Sequence, residues 1–381
     1  MARINVRSPF YVSINTASAS VGYVTLAIKV WSGAIGSIPA TAQYNLKKFK
    51  VSDIISFEIS ELIKDYIDIA FDGDYLGQAN YVNTSIASFD SSNTQISSIS
   101  GTSLAFDSYS YFEEPLFDIN DTSLMITNRE VFPLADNAFR IPIYTGLAPT
   151  LTFFKNNEEI STQTFSSTTN STTQIKYVSI YGTSVTYDTY AERVVEDGGT
   201  FEDSTCLRSF LSTVEIGEFD KIQISDIKGT SIIKVTTIEE CKHEPKKVTF
   251  INKFGALQDV YFFKKSVEKM TIEKESYKSN TINSENNTYN TSHHVNRDFN
   301  VVGNESITLS SGLLNEEYNE VFKQMMLSEK CWITNVKQGV EQVLPINVRT
   351  GNITYKTSLN DKLVDYTFDF DYSFNTINNI R

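Results

Sequence analysis

The sequence predicts a mainly β protein, built of antiparallel β-sandwich domains that carry two short α-helices. Three observations lead there. Apolar and polar residues alternate with period two along many short runs, most clearly Val24, Leu26, Ile28 and Val30 against Thr25 and Lys29. Aromatic side chains make up 12% of the 381 residues, and they favour pleated, half-buried surfaces. Ser, Asn and Gly punctuate the runs at short intervals, which suits antiparallel sheets better than βαβ units.

Along the chain, strands are expected at Ile4–Ile14, Tyr23–Trp31, Tyr44–Val51, Ile54–Ile59, Leu151–Lys155, Ile175–Tyr181, Lys221–Ile227 and Ser231–Thr237. Ser60 is placed as the N-cap of a helix over Glu61–Phe71. There Leu62, Ile63, Tyr66, Ile67 and Ala70 share a face, and Gly73 terminates. A second helix is expected from an Asn315 cap through Leu327, with Tyr318, Val321, Phe322 and Met325 turned to the core and Glu316 and Glu317 at its positive end. The Ser/Thr/Asn-rich stretches Tyr81–Gly101 and Ser161–Thr173 read as long loops or edge hairpins.

The last third is the most legible. Lys247–Lys265 reads as a β-hairpin turning at Gly255, followed by strands at Trp332–Val336, Val343–Val348, Ile353–Thr357 and Leu363–Phe374. In the final run Tyr366, Phe368, Phe370, Tyr372 and Phe374 occupy one face, each worth roughly 1.5–3 kcal/mol when buried, so something must cover that row. Residues 274–300 are polar throughout and read as a long loop, either flexible or ordered as an arm against a neighbour. Three domains are expected: 1–78, a β domain ending in a helix; 79–241, an acidic Ser/Thr/Asn-rich sandwich; and 242–381, a β domain with one helix and the 274–300 loop.

Charge narrows the partners. The formal charge of −13 falls entirely in residues 1–241, and residues 242–381 are balanced. An acidic surface repels phosphate backbones, so no nucleic-acid specificity is expected. The lysines of Lys242–Lys278 alternate with aromatics and read as a solvated sheet face. Cys206, Cys241 and Cys331 form no CxxC pattern and read as reduced thilos of a cytoplasm-made protein, without a disulfide framework. The opening residues do not resemble a signal peptide, and no apolar run of about 18 residues predicts a membrane span.

No catalytic, cofactor-binding or metal residues are assigned. His243 stands apart from His293 and His294, which fall in the polar 274–300 segment, a poor place to hold a base. Gly198-Gly199 lacks the lysine of a phosphate loop. The acid pairs Glu113-Glu114, Glu158-Glu159 and Glu239-Glu240 are adjacent, so on a strand the two carboxylates point to opposite faces. Asp365, Asp369 and Asp371 share a strand face and read as solvated charge, with a Ca²⁺ site the weaker reading.

The runs Glu240–Pro245 (ECKHEP) and Val248–Lys265 (VTFINKFGALQDVYFFKK) resemble virion structural proteins of tailed bacteriophages infecting Bacteroidota. The likeness returns at Leu313–Met326, from Trp332 onward, and from Leu359 to Arg381. Ser8–Val12 and Phe57–Tyr66 resemble the opening of such proteins. It covers residues 1–75 and 240–381, and its motifs bear fold rather than chemistry, so no functional residues carry over. The resemblance implies a non-enzymatic subunit assembled in the bacterial cytoplasm. It would form a homo-oligomeric ring, six- or twelve-fold before three-fold, in the tail tip, baseplate or tail-completion region. Its partners would be copies of itself and other tail or neck proteins. The alternative is a host-adhesion module whose middle domain grips a surface glycan or protein, and a depolymerase is the third reading.

Overall fold

The computed structural model describes all residues except 1, 19, 76–78, 115–120, 135–138, 167–173, 181–184, 189–218, 239–241, 284, 338–339, 355–362 and 378–381. The protein is mainly β, with several sheets and, among the described residues, two α-helices. It divides into two compact units. The first comprises 1–239 with 249–259 and 317–328, and the second 240–248, 260–316 and 329–381.

In the first unit, a five-stranded sheet runs in the order Ala2–Asn5, Gln95–Phe106, Asn80–Phe89, Tyr23–Trp31, Tyr44–Phe49. Its first pair is parallel and the rest are antiparallel. The predicted alternation along Tyr23–Trp31 holds. Val24, Leu26, Ile28 and Val30 are buried in a core with Ile14, Ile55 and Phe57 of the separate pair Tyr11–Asn15 and Ile54–Glu58, so the two layers make a sandwich. Two further sheets complete the unit. One holds Glu158–Thr164, Thr150–Lys155, Lys221–Ser225, Thr230–Val235 and Glu130–Val131; the other holds Val185–Asp188, Ile175–Ile180 and Phe139–Tyr144.

Several local expectations change. The run Ile4–Ile14 is two strands, because a turn at Val6–Ser8 sends Ala2–Asn5 and Tyr11–Asn15 into different sheets. Tyr81–Gly101 is a hairpin rather than a loop: Asn80–Phe89 turns at 90–94 into Gln95–Phe106, whose outer neighbour among the described residues, Ala2–Asn5, begins at Ser103. Asn80–Phe89 is an interior strand between Tyr23–Trp31 and Gln95–Phe106, and its Ser, Thr and Asn side chains fill a sheet rather than a loop. The strands on either side of residue 78 thus share one sheet. Ser161–Thr164 does lie on an edge strand.

The first helix, α1 (Ser60–Lys64), is far shorter than expected. Ser60 is its first residue rather than its cap, since the Ser60 hydroxyl and N–H both donate to Glu58 Oε1. Past Lys64 the chain tightens into i→i+3 turns (Tyr66 N–H to Ile63 O, 3.0 Å; Ile67 N–H to Lys64 O, 2.9 Å). Asp65, Asp68 and the β-branched Ile67 and Ile69 are weak helix formers there. The second helix, α2 (Tyr318–Met326), buries Tyr318, Val321, Phe322 and Met325 as the stripe predicts. It starts two residues late, and Asn315 is instead paired with Leu363 in a short ladder. The Glu317 carboxylate accepts the Arg129 N–H at 2.7 Å instead of serving the helix end.

A seven-stranded sheet, five of whose strands lie wholly in the second unit, runs in the order Leu257–Phe262, Lys246–Ile251, Cys331–Lys337, Val340–Val348, Thr367–Asn375, Asn296–Ser310, Val267–Lys278. The predicted run Leu363–Phe374 is interrupted at Asp365 and Tyr366, and Ile353 and Thr354 are not in a strand. Phe262 and Thr367–Asn375 stand four strands apart, about 19 Å in a flat sheet at about 4.8 Å per step. Yet the Phe262 ring lies 6.1 Å from Phe368 and 6.0 Å from Phe370, so the sheet curls strongly. The curl is what covers the aromatic row: Tyr366, Phe368 and Phe370 are buried, while Phe374 past them is exposed.

Phe370→Ala is expected to cost about 3–5 kcal/mol. Phe374→Ala, outside the curl, should cost far less. Urea denaturation followed by circular dichroism checks the contrast, and equal losses would contradict the curl as the source of burial.

Candidate functional site

The segment expected as a polar loop is instead a β-ribbon. Val267–Lys278 and Asn296–Ser310 pair antiparallel from Val267↔Thr308 to Lys278↔Asn296, and Ile282–Asn283 pairs with Thr288–Tyr289 nearer the tip. The sequence hid this because the ribbon is wet on both faces. All twelve residues of Val267–Lys278 are exposed, so apolar residues need not alternate along it. Thr367–Asn375 supports Asn296–Ser310 only between Asn304 and Ser310; towards the tip, the two strands have only each other.

Three local devices hold the ribbon. Lys274 Nζ meets Asp298 Oδ2 at 2.6 Å. Tyr277 and Phe299 pack edge-to-face across the strands at 5.6 Å. A bulge between Glu273 and Glu275 faces Asn300, whose φ of 49° suits the residue type that best tolerates that region. A two-stranded ribbon is marginal alone in water, and this one also exposes apolar side chains. Met270 is 51% accessible, Ile272 58% and Tyr289 71%, with Val267, Tyr277, Ile282, Val295, Phe299 and Val301 also exposed.

Two clusters of buried polar groups in the first unit are arranged differently, their members paired with one another. Around Asp259, Tyr75 Oη donates at 2.6 Å and Thr249 Oγ1 at 2.8 Å to Oδ1, and the Arg140 N–H reaches Oδ2 at 3.3 Å. The Arg140 guanidinium lies 4.1 Å from the Tyr75 ring centre, and Tyr177 Oη accepts the Leu257 N–H at 2.9 Å. Burial, and then the Asp259 charge, push the Tyr75 hydroxyl well above its ordinary range; burial likewise raises Tyr177.

A second cluster surrounds α2. Tyr111 Oη donates to Glu320 Oε1 at 2.7 Å, and Gln324 Nε2 donates to the same oxygen at 2.9 Å. Lys323 Nζ sits 3.6 Å from the Tyr111 ring centre, and Lys253 Nζ reaches Glu114 Oε1 at 3.2 Å. Burial and the Glu320 hydrogen bond raise the Tyr111 hydroxyl, and burial raises Tyr318. Neither cluster was legible in sequence, because its members come from segments far apart along the chain.

The residues singled out from sequence scatter. His293 and His294 lie exposed near the ribbon tip, and His243 is half-buried well apart in sequence. Glu114 pairs with Lys253, while Glu159 accepts the Thr162 hydroxyl at 2.8 Å on an edge strand. Asp365, Asp369 and Asp371 do not converge on one point: they engage Ser310 (3.0 Å), Thr308 (2.5 Å) and Arg349 (3.7 Å) in turn. Among the described residues no cluster of three or more His, Cys, Asp or Glu is placed to hold a metal ion. Cys331 is a buried thiol; Cys206, Cys241, Gly198-Gly199 and Glu239-Glu240 lie outside the described residues. No helix among the described residues is long and apolar enough to cross a membrane. No protein-family model matches the chain, and no curated protein matches it.

Two outcomes follow from the buried clusters. Tyr75→Phe removes one hydrogen bond to a buried carboxylate and should cost about 1.5–3 kcal/mol in urea denaturation. The raised tyrosines also set a pH limit. Unfolded tyrosine ionises near 10, so above that the folded state binds more protons than the unfolded one. Their contribution is therefore complete below about pH 10 and declines as pH rises beyond it. Tyrosinate absorbance should show a late portion that appears only as the circular dichroism of the fold is lost; a full tyrosine titration with the fold intact would contradict this.

Proposed function

We propose that the chain is a non-enzymatic structural subunit of a tailed-bacteriophage virion. It would form a ring in the tail tip, baseplate or tail-completion region and dock neighbouring particle proteins. The observation that carries the reading is the ribbon Val267–Lys278/Asn296–Ser310, whose strands pair with each other and leave Met270, Ile272, Tyr277 and Phe299 in water. A ribbon of this kind gains little within its own chain, and gains apolar burial when copies assemble. The polar clusters support the non-enzymatic part. Asp259 and Glu320 each accept two side-chain donors from their own unit, an arrangement suited to holding a core.

Assembly in the bacterial cytoplasm and contacts with copies of itself and with other tail or neck proteins belong to the same reading. Host adhesion through the middle of the chain is the competing outcome. Electron microscopy of purified particles is expected to place the chain in tail or neck density as a ring. Density that accommodates it nowhere in the tail or neck would overturn the assignment. If the isolated protein competed with particles for adsorption to cells, adhesion would replace it.

A further inference from the structure

We infer that the outer edge of Val267–Lys278 pairs with the same edge of a second copy, antiparallel and centred on Thr271. The strand is last in its sheet, and among the described residues no strand pairs with its outer side. All twelve residues are exposed, so main-chain donors and acceptors stand ready for another strand. Edges of this kind are ordinarily guarded by charge, and this one carries Glu268, Lys269, Glu273 and Lys274. What matters is their order.

Two copies meeting about a two-fold axis at Thr271 set each residue opposite a fixed counterpart. Glu268 then faces Lys274, Lys269 faces Glu273, Met270 faces Ile272, and Thr271 faces itself. Every opposed charge is of unlike sign. One sheet face carries Met270 and Ile272 in the middle with Glu–Lys pairs at both ends; the other carries Thr271 between Lys–Glu pairs. Same-edge pairing about a two-fold axis shifts in steps of two residues. With the axis at Met270, Lys265 faces Glu275 and no other charges are opposed; with the axis at Ile272, Lys269 faces Glu275 alone, so each keeps two symmetric unlike pairs where Thr271 gives four.

The charges thus favour the register centred on Thr271, which opposes the most unlike pairs, and the occupant that fits is this chain itself. Lys274 sits at the bulge beside Asp298, so the inner pair Lys269–Glu273 is the cleaner test. The contact is isologous and relates two copies only. It does not rest on the ring reading: within a six- or twelve-fold arrangement it would join copies of two rings.

The test uses the full chain carrying Thr271→Cys. Across the axis the two Cα atoms would lie about 4.5–5.5 Å apart, within disulfide reach. Mild oxidation should yield a linked dimer on a non-reducing denaturing gel, and the unsubstituted chain treated alike should not. Adding Glu273→Lys, or separately Lys269→Glu, places like charges at both symmetric positions and should lower linkage about tenfold. Mixing those two variants restores Lys opposite Glu at both positions and should recover linkage, as should both changes in one chain.

Absence of a linked dimer, indifference to the single reversals, or failure of the mixture to recover would each overturn the proposal. If the cysteine variant does not fold, sedimentation of the unsubstituted chain decides: association weakened by salt supports the contact, and a monomer throughout overturns it. Loss of this contact while particles still show a ring would remove the edge pairing and leave the ring reading standing. A linked dimer with no chain in the tail or neck would do the reverse.

Discussion

Burying a polar β-turn is the constraint around which the first unit is organised. Asn252 Oδ1 accepts the N–H groups of Phe254 (3.0 Å) and Ala256 (3.1 Å), while its Nδ2 donates to Met125 O (2.7 Å) and Gln258 Oε1 (3.0 Å). Gly255 turns there at φ +77°, and a Cβ on it would come within 3.0–3.2 Å of the Asp107 backbone. A buried amide left without partners costs about 1–3 kcal/mol, so the chain must bring complementary groups to this tip from distant segments. Met125, Asn128, Tyr177 and Gln324 are such groups. The same rule explains Asp259, whose carboxylate is matched by Tyr75 and Thr249.

The ribbon obeys the opposite rule. Its two strands pair with each other from Val267↔Thr308 to Lys278↔Asn296, yet most side chains stay in water and apolar residues are exposed. One part of the molecule thus buries clusters of polar groups against each other, and another leaves apolar groups in solvent. That division is why the functional reading rests on surfaces. It also explains why charge matters most on Val267–Lys278: an edge strand that attracts every other edge aggregates, whereas an ordered charge sequence favours one register over others.

Much of the fold was legible in the residues. The strand at Tyr23–Trp31 and the stripe Tyr318, Val321, Phe322, Met325 follow from periodicity, because each has one buried face and one of different chemistry, while the hairpin around Gly255 follows from its aromatic runs and its turn glycine. Of the two readings of Tyr81–Gly101, hairpin held and loop did not, because the Ser, Thr and Asn residues of Asn80–Phe89 sit on backbone paired on both sides. Helix α1 was overextended because a shared apolar face does not overcome residues of weak helix propensity in a short segment. Asp259, Glu320 and their partners left no local signal.

The sequence alone determined the mainly β class, the position of most strands and the requirement that the final aromatic row be covered. These are set by alternation and burial within a few neighbouring residues. Tertiary structure decided what covers that row, which acids meet which tyrosines, and that residues 267–310 form a ribbon instead of a loop. Each of those depends on sheet curl or on pairing between residues far apart along the chain, and short-range periodicity carries no information about either.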